Sequence, residues 1–142
     1  MKKTKLNLFV LLISVLGFTS ATAQNIHFIG SPSISDNGNT LSFCAKLAGL
    51  GNNQMVTVVL STTATVTTEC TNPGGNVAPG QTKTVTLTKS GEFMSDKNGT
   101  VTFCLTTEPP TPGKCPNGQW SANITDVSFT NSYVLVNDKR VR

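Results

Sequence analysis

The sequence predicts an all-β fold: a single antiparallel β-sandwich of the immunoglobulin-like or Greek-key kind, with seven or eight strands and two disulfides. Three observations point there. Past residue 24, no stretch repeats its apolar residues at helical spacing. Runs of Thr and Val alternate with period two, and turn-forming residues recur about every eight to twelve residues. Four cysteines (Cys44, Cys70, Cys104 and Cys115) all follow an amino-terminal export signal, and an even count in an exported chain reads as disulfides.

That signal is read from composition. Lys2, Lys3 and Lys5 form a basic start, residues 6–18 are nearly all apolar, and Ala21-Thr22-Ala23 is a small-x-small cleavage site. Residues 1–23 are therefore expected to be a cleaved secretory signal peptide, and residues 24–142 one β-sandwich domain. The apolar run is too short to span a bilayer, so no membrane insertion of the mature chain is expected. Removing the signal leaves eight basic and seven acidic residues, a net charge of +1. The basic character belongs mostly to the signal, so charge gives no ground for a nucleic-acid partner. The one basic cluster left, Lys139, Arg140 and Arg142, reads as a solvated tail.

The elements follow in order. Residues 26–29 form a short apolar edge strand. Asp36, Asn37, Gly38 and Asn39 carry turn chemistry, because Asp and Asn tolerate the left-handed region and Gly supplies it. Residues 40–47 alternate, with Leu41, Phe43 and Leu47 on one face and Ser42, Cys44 and Lys46 on the other. A Gly/Asn turn over 49–53 leads into 55–60, apolar on both faces as in a central strand. Residues 61–68 continue it with β-branched Thr, which is stiff at χ1 and favours strand.

Residues 70–81, Cys-Thr-Asn-Pro-Gly-Gly-Asn-Val-Ala-Pro-Gly-Gln, are expected to be a large shaped loop, since its prolines and glycines suit neither helix nor ladder. Residues 82–88 alternate again. Residues 90–99 read as irregular, with Phe93 and Met94 tucked on the core edge and Asn98-Gly99 as a tight turn. Residues 100–107 place Val101, Phe103 and Leu105 on one face. Residues 108–119, with four prolines, form a second large loop. In 120–129 the apolar phase shifts from even (Trp120, Ala122, Ile124) to odd (Val127, Phe129), which predicts a β-bulge near Thr125-Asp126. Asn131 is a turn candidate, and 133–136 close the domain.

Four cysteines allow three pairings. Cys44 and Cys104 each follow a Phe in mid-strand on a polar face, whereas Cys70 and Cys115 each stand beside a Pro/Gly loop. Like environments favour Cys44–Cys104 and Cys70–Cys115. A four-cysteine zinc site would need closer pairs. The immunoglobulin signature is incomplete: no Trp lies a dozen or so residues past Cys44, and Thr102 rather than Tyr precedes Cys104 by two.

Candidate chemistry is sparse, and no cofactor or metal is expected. His27 is the sole histidine, too little for a relay or a His-based metal site. The seven acids are scattered, and paired glycosidase carboxylates would have to meet in space. Asp126, at the expected bulge, would face a ligand or bond local backbone. Trp120 suits a sugar platform but shares the core phase of Ile124. Asn72, Pro73, Gly74, Gly75 and Asn76 make the candidate binding loop, where the glycine pair suits an anion nest but lacks the Lys and helix that would follow one.

Two segments carry a resemblance: residues 70–81 as quoted, and Cys115-Pro-Asn-Gly-Gln-Trp-Ser-Ala-Asn-Ile-Thr-Asp-Val-Ser-Phe. With Lys46-Leu-Ala-Gly-Leu-Gly they resemble a group of small exported bacterial β-domain proteins. The resemblance implies export and a β-domain, and supplies no activity or catalytic residue. The expected function is a non-enzymatic binding or structural module, outside the cell or at its surface, with a protein or glycan as partner. The rival expectations are a self-associating filament or adhesin subunit built by strand addition, a carbohydrate-binding module and a carboxylate-based glycoside hydrolase.

Overall fold

The computed structural model describes residues 25–142. The expected signal peptide lies outside them. Every regular element in the described residues is a strand: β1 (His27–Phe28), β2 (Ser33–Asp36), β3 (Leu41–Ala48), β4 (Met55–Thr71), β5 (Val77–Pro79), β6 (Lys83–Met94), β7 (Val101–Thr106), β8 (Ser121–Val136) and β9 (Lys139–Arg140). Two antiparallel sheets result. In the first, β3 lies between β7 and the end-to-end pieces β1 and β2; in the second, β4 lies between β8 and the end-to-end pieces β5 and β6, with β9 beyond β8.

The organising unit is one long two-stranded ribbon. β3 and then β4 run up one side, while β6 and then β7 come down the other, with Leu47 facing Val101 and Met55 facing Met94. The ribbon creases at 49–54 and 95–100, so its two halves belong to different sheets. Backbone bonds cross the crease from Leu50 N–H to Gly99 O (3.0 Å), Asn53 N–H to Asp96 O (3.1 Å) and Ser95 N–H to Gln54 O (2.8 Å). The Ser95 hydroxyl, fully buried, accepts from Gln54 N–H and donates to the Gly51 carbonyl. It satisfies backbone groups that the bend takes out of the ladder. Asp96 accepts from the Asn98 and Thr100 amides and from the Thr100 hydroxyl, which closes the turn around Gly99 (φ 78°).

Both halves feed one core. Phe43, Leu47, Val101, Phe103 and Leu105 from the first sheet meet Val56, Val58, Leu60, Val134 and Val136 from the second. Phe93 on β6 lies 5.7 Å from Phe103 on β7, ring centre to ring centre. Along β4 every even-numbered residue from Val56 to Cys70 is buried, the alternation expected of a strand with one face inward. Only its first part faces the other sheet. The Pro-rich segment 107–116 covers the rest.

β8 carries two bulges. Thr67 pairs with Asp126 but Thr68 with Ile124, so Thr125 is the extra residue, at the place the phase shift indicated. Ser61 pairs with Tyr133 but Thr63 with Thr130, and Asn131 there has φ 53°. The first bulge moves the inward phase from even to odd and the second moves it back, so Val127, Val134 and Val136 are all buried. Bulges bend a strand, and two of them curl this sheet.

Several expectations are corrected. The strands number nine, because β2, β5 and β9 are short pieces the sequence did not mark, while 120–129 and 133–136 join into one strand, β8. Residues 90–94 are not irregular but continue β6, and Met94 is exposed (54%) opposite Met55 while Phe93 packs on the core. Asn131 is a bulge inside β8 rather than a turn. The basic terminus is not a solvated tail. Asn137 and Asp138 (φ 48° and 70°) form a two-residue hairpin turn of the I′ kind, β9 folds back on β8, Val141 enters the core, and Arg140 lies 4.3 Å over the Tyr133 ring.

Candidate functional site

The β4–β5 hairpin tip, residues 72–76, is a closed unit. Asn72 N–H donates to Asn76 O (2.9 Å), Gly75 N–H to Asn72 O (2.9 Å), and Asn76 N–H to the Asn72 side-chain oxygen (2.8 Å). Gly75 sits at φ 87°, which an L side chain adopts only with strain. Pro73, Gly74, Gly75 and Asn76 are exposed.

Both disulfides have the pairing that the contexts favoured. Cys44–Cys104 joins directly facing residues of β3 and β7 on the polar side, and Cys70–Cys115 ties the end of β4 to the Pro-rich segment. That segment is less free than a working loop. Thr107 N–H donates to Leu41 O, Lys89 bonds Glu108 (2.8 Å), Lys83 bonds the Thr111 hydroxyl (2.7 Å), and Gln81 N–H donates to Lys114 O (3.0 Å). Gly113 N–H donates to the buried Thr68 hydroxyl (2.7 Å). Thr107, Pro110 and Gly113 are buried, so half of the segment is a strap laid over the inner face of β4. A Cβ on Gly113 would strike the Gln81 carbonyl, and one on Gly80 would come within 2.7 Å of Cys70 Sγ. Only glycine lets the strap, β4 and the Gly80 bend cross there. The Lys89 ammonium holds the Glu108 carboxyl below its ordinary pKa, although both side chains face solvent.

Where strap and bend meet, Pro79, Gly80, Gln81, Lys114, Cys115 and Pro116 line a hollow of about 290 Å³. It offers amides, proline rings and one ammonium. It has no nucleophile beside a base and no carboxylate. All six fall within the two large loops read from the sequence, 70–81 and 108–119, although among them only Cys115 was singled out; the clustering of Pro and Gly next to two cysteines was the available signal.

Trp120 belongs to the same end. It directly precedes Ser121, which pairs with Thr71, and its N–H closes a turn onto Asn117 O (3.3 Å). The indole is half-buried and outside the core cluster, which corrects its assignment to the core phase. Asp126 is not brought to the tip. It faces Thr67 next to the Thr125 bulge, and the strand rise places it about 20 Å along β8 from Trp120. It is exposed, and the neighbouring Thr125 hydroxyl bonds Thr67 O (3.3 Å). His27 is exposed, with Nδ1 2.8 Å from Asn25 O. Among the described residues, no group of three or more His, Cys, Asp or Glu is placed to hold a metal, and no helix is long and apolar enough to cross a membrane. Two disulfides suit an oxidising, extracytoplasmic environment.

No protein-family model matches the chain, and no match was found among curated proteins.

Proposed function

We propose that the chain is a secreted, non-enzymatic binding module, akin to the small exported bacterial β-domains its motifs resemble. In this reading its two sheets form an immunoglobulin-like or Greek-key sandwich. The observation that carries the proposal is the Cys70–Cys115 bridge. It joins the hairpin tip 72–76, the half-buried Trp120 and the outer part of the strap into one polar, uncatalytic surface. Binding costs ordering entropy, and loops already held by covalent and hydrogen bonds lose less of it. Exposed Asn and Gln amides beside an indole suit a protein or a glycan. The glycosidase alternative gains nothing from this hollow or from the one at Asn25, Ile26, Lys139, Arg140 and Val141, since neither is lined by a carboxylate.

The test is a glycan array and a pull-down with the oxidised chain from Gln24, repeated with Pro73→Asp, Gly74→Asp and with Cys70→Ala, Cys115→Ala. A ligand bound by the parent and lost from both variants supports the reading. A ligand kept by both variants moves the site elsewhere.

A second reading, assembly by strand addition, has one observation in its favour. On the side away from β4, β8 pairs with β9 only at Leu135 and Val136 and Val134 O accepts from Val141 N–H, which leaves residues 121–133 as an open sheet edge. The two bulges in that edge work against regular pairing. Size-exclusion chromatography separates the readings, since a strict monomer at high concentration removes this one.

A further inference from the structure

The Cys44–Cys104 bridge stands apart from the loop end and differs from Cys70–Cys115 in what governs thiol exchange. Exchange proceeds by attack of a thiolate on one sulfur, in line with the S–S axis, while the other sulfur leaves. Access to that axis decides whether a bridge reacts in the folded protein. Cys70 is fully buried, whereas Cys104 is exposed and Cys44 half-buried on the outer, polar face of the first sheet.

The register shows from which side an attacker arrives. Cys44 on β3 faces Cys104 on β7, so the S–S bond runs across the strands. Among the described residues no strand pairs with the far side of β7, so the axis extended past Cys104 runs over a free sheet edge. Extended past Cys44 it runs over β2, where Ser33 faces Cys44 on the same side of the sheet. The open approach leads to Cys104 and makes Cys44 the leaving sulfur.

Charge favours the same direction. Lys46 shares the outward face with Cys44, two residues and about 6.7 Å further along β3. It is exposed, and among the described residues it forms no ion pair, although its field reaches Asp96 in the neighbouring turn. The other outward residues around the bridge, Ser33, Ser35, Ser42, Thr102 and Thr106, are uncharged. A nearby cation stabilises a thiolate, and a more stable thiolate leaves faster.

Opening this bridge leaves the fold in place. β3 and β7 share six paired positions, and Phe43, Leu47, Val101, Phe103 and Leu105 hold their inner faces in the core. The two thiols therefore still face each other after reduction and can close again.

We infer that Cys44–Cys104 is a thiol-exchange site, opened in the folded protein by an external dithiol that attacks Cys104 and expels Cys44 beside Lys46. The attacking thiolate forms a new S–S bond to Cys104 Sγ. The old bond breaks, and its electron pair leaves with Cys44 Sγ, which takes a proton from solvent. The second thiol of the reagent loses its proton, closes on the first sulfur and expels Cys104, which is protonated in turn. The chain gains two electrons and two protons, and the dithiol is oxidised to its disulfide. The reading is independent of the loop end.

The test treats the oxidised chain from Gln24 with dithiothreitol, quenches with N-ethylmaleimide at intervals and maps the cysteines by peptide mass spectrometry. Cys44–Cys104 should open about tenfold faster than Cys70–Cys115 or more, with the β circular dichroism unchanged, and should close again on addition of oxidised glutathione. With reduced glutathione, a monothiol, the mixed disulfide trapped at early times should sit on Cys104 and the maleimide on Cys44. Lys46→Glu, an exposed substitution that leaves the core untouched, should slow opening about threefold or more at low salt. Faster opening of Cys70–Cys115 overturns the inference, as does opening of Cys44–Cys104 only together with loss of the β signal. Glutathione trapped mainly on Cys44, or an unchanged rate in Lys46→Glu, overturns it equally.

Discussion

Replacing both Cys70 and Cys115 by Ala tests the strap directly. The bridge spans a sequence separation of 45 residues, for which the chain-entropy relation gives about 4 kcal/mol. The two bridges interleave along the chain, so with Cys44–Cys104 intact the loop that Cys70–Cys115 closes is somewhat shorter, and a realistic figure is about 3 kcal/mol. Cys70 is fully buried, so truncating it also leaves a small void. For a domain of this size about 3 kcal/mol lowers Tm by roughly 10–15 °C. Calorimetry at neutral pH, with the parent and with Cys44→Ala, Cys104→Ala, reads this out. Cys104 is exposed, and its bridge joins residues already paired in register, so the second variant loses the entropic part without the void. Limited proteolysis adds a local reading. The Cys70 variant should be cut within residues 108–119, whereas the Cys44 variant should not. An unchanged Tm, or equal protection of the strap in both variants, would refute the claim that this bridge holds the strap down.

Other consequences are more local. Leu60→Ala removes a fully buried side chain where the two sheets meet and should cost about 2–5 kcal/mol in denaturant unfolding. Thr68→Val keeps the shape but leaves the buried Gly113 amide without its acceptor; about 1–3 kcal/mol is expected, with faster hydrogen exchange at that amide. Asp138→Gly relieves an L residue at φ 70° in the last hairpin and should stabilise by about 0.5–1 kcal/mol, measured by the same unfolding experiment. Hydrogen bonds from Thr100 hold the Asp96 carboxyl below its ordinary value of 3.8. A depressed folded pKa means that its contribution is complete above the unfolded value and is lost as pH falls through the folded one. Asp96→Asn should therefore lower Tm near neutrality, where that contribution is complete, and leave Tm little changed in acid, which flattens the acid limb of the stability curve.

Legibility followed locality. The alternation in β3, β4 and β7 was readable because each has one face in the core, and the Thr125 bulge because an inserted residue leaves a phase break in the text. The cysteine pairing was readable from flanking residues. What failed depended on distant neighbours. Residues 90–94 look irregular because Gly91 carries no side chain, yet any Cβ there would press on Phe93 and Leu105, so the glycine makes room for packing. Asn131 gives one signal, tolerance of positive φ, that serves a turn and a bulge equally. The charged terminus hid Val141, whose partners lie more than eighty residues earlier along the chain in part, on β4. At the candidate site the tip was foreseen, but the strap was read as free loop. Proline content shows that a segment avoids a ladder, not whether it lies on solvent or on a sheet.

The interleaving of the two bridges has a mechanical side. If the chain were tethered at one end and pulled at the other, tension entering at Cys44 would pass across sulfur to Cys104 and on to Cys115. The creased ribbon between Cys44 and Cys104 would be bypassed. Only the stretches before Cys44 and after Cys115, and the short strap segment 105–114 between the bridges, would be free to pay out at about 3.5 Å per residue. Under load the molecule would therefore lengthen briefly and then stop, with the two ribbon halves still folded against each other.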